Sequence, residues 1–107
     1  MSAWTYLGAA IASEVVGTVF LRYTDGFTRP ALSILVIVTY AGSLWLTALA
    51  LRELEISLAY AVWAGVGTAA VAVIGIAVLG ESVNALKLAS IVLVIGGVVG
   101  LNLSGAN

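Results

Sequence analysis

The sequence predicts an all-α membrane protein of four transmembrane helices, and three observations carry that expectation. Of its 107 residues, 63% are hydrophobic and 8% are charged, with a mean hydropathy of +1.20. A soluble globular chain carries about a quarter charged residues, so this one lacks the charge to solvate a surface. The charges sit at Glu14, Arg22, Asp25, Arg29, Arg52, Glu53, Glu55, Glu81 and Lys87, leaving uncharged runs of 22, 25 and 20 residues after Arg29, Glu55 and Lys87. A helix rising about 1.5 Å per residue needs about 20 apolar residues to cross a hydrocarbon core of about 30 Å, so each run is long enough to span.

Helices are expected over 3–21, 31–51, 57–79 and 86–104. The first stretch is broken only by Glu14. A cleaved signal peptide is its alternative reading, because Ala10-Ile11-Ala12 has a small-x-small form. Against that, no basic residue precedes the apolar run and a charge follows at once. The second stretch starts at Pro30 after a turn at Asp25-Gly26, both ordinary turn and helix-start signals. The third follows the short polar link Arg52-Glu53-Leu54-Glu55, and the fourth follows Gly80-Glu81-Ser82-Val83-Asn84. No linker or extramembrane domain is expected, so residues 1–107 read as a single four-helix transmembrane domain.

The composition also excludes function classes. A net charge of −1 with no basic stripe makes nucleic acid an unsuitable partner. The absence of Cys and His removes thiol chemistry, the usual zinc and haem ligands and any Ser-His or Cys-His nucleophile pair. Neither an enzyme, a cofactor nor a metal site is expected.

Glu14 carries the functional argument. An acidic side chain near a helix centre costs about 2.5–3.5 kcal/mol on insertion scales, so such residues usually face a cavity and act there. A protonated packing residue is the bland alternative; a buried Lys or Arg partner is not, because every basic residue sits in or beside a loop. Removing a carboxyl group from water favours its neutral form, and in its ionised form it needs an imported positive charge. Proton and cation then compete for one group, and competition at a site opening alternately to two faces is the minimum machinery for antiport.

An aromatic lining would suit a lipophilic organic cation by cation-π attraction. Tyr60 and Trp63 are three residues apart on one face of the third helix. Tyr60, near the helix start, suits an interfacial belt as well as a binding site, whereas Trp63 is a turn deeper. Tyr40, near the middle of the second helix, has a hydroxyl able to reach a carboxylate. Trp4 and Trp45 read as belt or packing residues. Gly65 and Gly67 follow Trp63, where close approach or bending is easy.

Four helices make a thin bundle, so an oligomer is expected. The small-residue patterns Ala9-x3-Ser13-x3-Gly17 and Gly96-x3-Gly100 serve close helix approach, either within one chain or between chains. Glu14 lies about 10 Å from the end of its helix and Trp63 about 10 Å from the start of its own. Those ends are on opposite faces, so the two residues come level only in an antiparallel pair. The charge bias is weak, with Arg22, Arg29 and Lys87 on one side against Arg52 and the amino terminus on the other.

Over residues 3–104 the chain resembles the small multidrug resistance transporters of bacteria, with their length and four-helix layout. The resemblance rests on Ala10-x3-Glu14-Val15-Val16-Gly17-Thr18, Asp25-Gly26-Phe27-Thr28-Arg29 and Ala59-Tyr60-Ala61-Val62-Trp63-Ala64-Gly65-Val66-Gly67. It implies an antiparallel, dual-topology homodimer in the bacterial plasma (inner) membrane, exchanging protons for cations at one site shared by both copies of Glu14. By the same match Trp63, Tyr60 and Tyr40 line the site, with Leu7, Ala10 and Thr18 on the carboxylate's helix face. Gly65 and Gly67 fall where the third helix bends, and the fourth helix, with Gly96, Gly97 and Gly100, holds the dimer together.

Guanidinium exporters of that family typically carry Trp three residues after the Glu and Thr after the third-helix Trp. Here those positions are Gly17 and Ala64, which resembles the quaternary-ammonium, multidrug subtype. Pro is common in the family where Glu55 stands and slightly later than Pro30, and a basic residue is common near Ser82. The expected function is therefore proton-coupled export of hydrophobic or quaternary ammonium cations. Guanidinium export by the same machinery is the alternative, followed by a non-transporting proton-conducting or assembly subunit of the membrane.

Overall fold

A computed structural model describes residues 2–104. Four helices form: α1 (Ala3–Tyr23), α2 (Pro30–Ala50), α3 (Ile56–Ala77) and α4 (Ala85–Leu103). They fall on the four apolar stretches, and no strand occurs among the described residues. Each is long and apolar enough to cross a membrane.

Local chemistry explains the helix ends. Ser2 caps α1, its hydroxyl accepting from the Thr5 amide at 3.2 Å and so satisfying one of the orphan donors of the first turn. At the other end α1 runs to Tyr23, two residues beyond expectation, because fully buried Thr24 closes it. Its hydroxyl donates to the Leu21 carbonyl at 2.8 Å and accepts from the Phe27 amide, while its own carbonyl receives the amides of Thr28 and Arg29. Around that anchor Asp25, Gly26 and Phe27 all turn left-handed, with φ of 51°, 67° and 64°. The turn thus extends one residue past Asp25-Gly26. Pro30 is the first residue of α2, where its missing N–H leaves nothing unsatisfied.

The end of α3 falls at Ala77 rather than 79. The amides of Val78 and Leu79 both fold back on the Ile74 carbonyl, and Glu81 donates to Gly75 across left-handed Gly80 (φ 69°). Asn84 then starts α4 one residue earlier than expected, its side-chain oxygen accepting from the Lys87 amide at 2.8 Å.

The chain divides into two compact units, one ending at Leu54 and one beginning at Glu55. In the first, α1 and α2 pack antiparallel as a hairpin. Leu7, Ala10, Ile11 and Val15 of α1 and Val36, Ser43 and Ala50 of α2 are buried. Trp4 and Trp45 are 37% and 66% exposed near the start of α1 and the end of α2, as belt residues at one membrane face would be.

In the second unit α3 packs on α4 through Gly65. A side chain at that position would collide with Val98, and Val94 lies 3.4 Å away. The helix runs unbroken through both Gly65 and Gly67, which are buried. Among the described residues none of α4 is buried, and a Cβ built at Gly96, Gly97 or Gly100 would meet no atom of another element within 4 Å.

Candidate functional site

Glu14 stands beside the midpoint of α1, and its Oε1 accepts a 2.8 Å hydrogen bond from Thr18 Oγ1, one helical turn on. The same Thr18 oxygen lies 2.8 Å from the Tyr40 hydroxyl of α2. A threonine hydroxyl has one proton to give; here Glu14 takes it, so Tyr40 is the donor to Thr18. The three half-buried residues form a directed chain, Tyr40 to Thr18 to Glu14, ending on the carboxylate. Among the described residues Glu14 has no ion pair.

Small residues bring the two helices close enough for that chain to close. At Gly17 a Cβ would lie 2.5 Å from Thr39 Oγ1 and 2.8 Å from Tyr40 Cε1, closer than real side chains tolerate. The bare glycine makes room for the Tyr40 ring. Ser13 donates to the Thr39 carbonyl at 2.8 Å, and buried Ser43 donates to the Ala10 carbonyl at 2.8 Å. Of the first small-residue pattern, Ser13 and Gly17 therefore serve packing inside the chain, whereas Ala9 stays exposed. Leu7 and Ala10 share the Glu14 face by spacing, but both are fully buried and offer no open lining.

Ser43 and Thr39 were not among the sequence candidates. The signal was there: Thr39, Ser43 and Thr47 recur at every fourth residue, a polar stripe on an otherwise apolar helix. Such hydroxyls also satisfy carbonyls of their own helix, as Thr47 does with Ser43 and Thr39 with Val36, so the stripe alone does not reveal which of them cross to α1.

In the second unit Tyr60 and Trp63 meet edge to face, with ring centroids 6.0 Å apart and planes at 73°. Such pairs contribute about 0.5–1.5 kcal/mol beyond their buried area. Tyr60 is 65% exposed and Trp63 is half-buried. No group of His, Cys, Asp and Glu able to hold a metal occurs among the described residues.

Residues 2–94 match the family model described as Small Multidrug Resistance protein. The chain is 46% identical over 104 residues to the nicotine metabolites export pump subunit NepB of Paenarthrobacter nicotinovorans, covering 97% of this chain and 63% of that subunit. It spans, then, under two thirds of that relative's length. It is also 42% identical over 102 residues to the guanidinium exporter of Escherichia coli (strain K12), covering 95% of this chain and 97% of the exporter. A third relative, the membrane protein YvaE of Bacillus subtilis (strain 168), is 44% identical over 100 residues, 94% of this chain and 84% of that one. The chain belongs to the Small Multidrug Resistance protein family.

Membership joins the physical reading of the helices. This Small Multidrug Resistance protein is a multi-pass protein of the bacterial inner membrane and an exporter, not an enzyme. Within the family's frame, the residues brought together in the first unit are Glu14, Thr18 and Tyr40, and in the second Tyr60 and Trp63.

Proposed function

We propose that the protein exports hydrophobic or quaternary ammonium cations in exchange for protons, as an antiparallel homodimer in which the two Glu14 carboxylates form the shared site. The observation that carries the reading is the carboxylate inside a membrane span, held by the Tyr40–Thr18 hydroxyl chain with no basic partner among the described residues. A cation entering the site supplies the missing positive charge, and a proton abolishes the need for it. Trp63 and Tyr60 offer the aromatic surface for an organic cation, and the bend expected at Gly65 and Gly67 would let the site open to alternate faces. If two protons enter for each monovalent cation leaving, each net charge draws about 2.3 kcal/mol per 100 mV.

Gly17 supports the multidrug assignment, because the space a bulkier residue would need is filled by Thr39 and Tyr40. Guanidinium export is the second reading, favoured by the relatives that carry that name. The word subunit in the name of the nicotine metabolites relative also keeps a second, paralogous chain open as the partner.

Tetraphenylphosphonium binding to the detergent-purified protein between about pH 5 and pH 9 tests the competition, with Glu14→Gln alongside. Binding should strengthen as pH rises, since each bound cation displaces protons, and should vanish in the variant. Undiminished binding by Glu14→Gln would refute the shared site. Parallel uptake of guanidinium and tetraphenylphosphonium into proteoliposomes separates the two substrates.

A further inference from the structure

Helix α1 begins and helix α2 ends at the same end of the hairpin, and both are membrane spans. That end lies at the level of the lipid headgroups, a level that exposed Trp4 and Trp45 also mark. There Ala3, Tyr6, Leu49, Arg52 and Glu53 line a recess of about 180 Å³. Drug-sized ligands occupy sites of about 300–1,000 Å³, so the recess is too small for a drug-sized organic cation. It is also chemically unlike a cation site, since it joins one positive and one negative side chain to a phenol.

The turn Leu51–Leu54 fixes the backbone of both charged residues beside the helix ends: the Arg52 amide donates to the Leu49 carbonyl and the Glu53 amide to the Ala50 carbonyl. Among the described residues neither side chain is held in an ion pair. Both charges are thus available to a ligand. A ligand that satisfies both must carry an anion and a cation a few bonds apart, and at this depth the molecule of that description is a zwitterionic phospholipid.

We propose that the recess binds the headgroup of a phospholipid carrying a phosphate and a primary ammonium, of the phosphatidylethanolamine class. Arg52 pairs with the phosphate, for which the guanidinium fork suits two oxygens at once, and the Tyr6 hydroxyl donates to the same group. Glu53 accepts from the ammonium N–H groups. Leu49 and Ala3 give the methylenes an apolar wall. Selectivity follows from the chemistry: a choline headgroup has no N–H to donate to Glu53, and a glycerol headgroup has no cation for it.

The test is native mass spectrometry of the detergent-purified full chain after equilibration with equimolar phosphatidylethanolamine, phosphatidylcholine and phosphatidylglycerol. The wild type should retain phosphatidylethanolamine at least severalfold over the other two. Arg52→Gln should reduce that retention severalfold, and Glu53→Gln should level phosphatidylethanolamine with phosphatidylcholine. Helicity by circular dichroism checks that the variants fold, and Arg52→Lys, which keeps the charge and loses the fork, should give an intermediate loss if Arg52→Gln does not fold. Equal retention of the three lipids by the wild type, or unchanged preference in both charge variants, would overturn the proposal. So would binding of soluble phosphoethanolamine with no lipid retained, which would assign the recess to a free phosphoester.

Discussion

Thr18 holds a single proton between two oxygens, and where that proton points depends on Glu14. With the carboxylate ionised it points at Oε1; once Oε1 carries a proton, that group becomes a donor and the chain through Thr18 to Tyr40 can reverse. Under the proposed exchange, a change of charge on Glu14 would reach Tyr40 through Thr18. Hydrogen bonds to charged groups contribute about 1.5–3 kcal/mol, so Thr18→Val should weaken tetraphenylphosphonium binding at neutral pH by about tenfold or more. Thr18→Ser, which keeps the hydroxyl, should restore most of it. Equal loss in both variants would show that the threonine's shape matters rather than its proton. A second residue-scale outcome concerns Phe27, whose left-handed backbone costs a side-chain-bearing residue about 1–2 kcal/mol. Phe27→Gly should raise the thermal midpoint of the detergent-solubilised protein, and a lowered midpoint would mean that the exposed ring contributes more than the backbone strain costs.

Between α1 and α2 the same chemistry becomes a matter of helix spacing. Gly17 and Tyr40 act as one unit if the glycine's role is to seat the phenol over Thr18. Gly17→Ala alone should cost about 1–3 kcal/mol of stability by overpacking and weaken cation binding. In a double-mutant cycle with Tyr40→Phe the binding losses should be clearly less than additive, since the first change has already displaced the hydroxyl that the second removes. Strict additivity would separate the two residues. The four spans were legible because charge spacing and length leave no other way to place nine charges in so apolar a chain. Glu14, Thr18 and Tyr40 were legible as candidates, from the cost of a buried carboxylate and the reach of a phenol. Their direct linkage was not. It depends on which residues face each other across the hairpin, and a uniformly apolar helix carries too little periodic contrast to fix its rotation. For the same reason Ser43 and Thr39 were missed; Leu7 and Ala10, which the resemblance puts on the carboxylate's helix face, are buried in the hairpin.

At the scale of the whole molecule, α4 is the element proposed to join two copies of the chain. Among the described residues none of its own is buried, and a Cβ built at Gly96, Gly97 or Gly100 would meet no atom of another element within 4 Å. Gly97→Trp should therefore leave helicity unchanged while raising the monomer fraction counted by single-molecule photobleaching in bilayers. An unchanged dimer fraction would move the interface elsewhere. The hairpin of α1 and α2 has the opposite character, because the hydrogen bonds joining it span at most 33 residues of chain. Ribosomes deliver about 5–20 residues per second, so the entire Tyr40–Thr18–Glu14 assembly exists as polypeptide within about ten seconds, before α3 has been made. Everything needed to hold the carboxylate's oxygen in place is encoded upstream of Glu55. During biosynthesis the acidic group need never face bare lipid as a lone helix waiting for a distant partner; its shelter is the next segment off the ribosome.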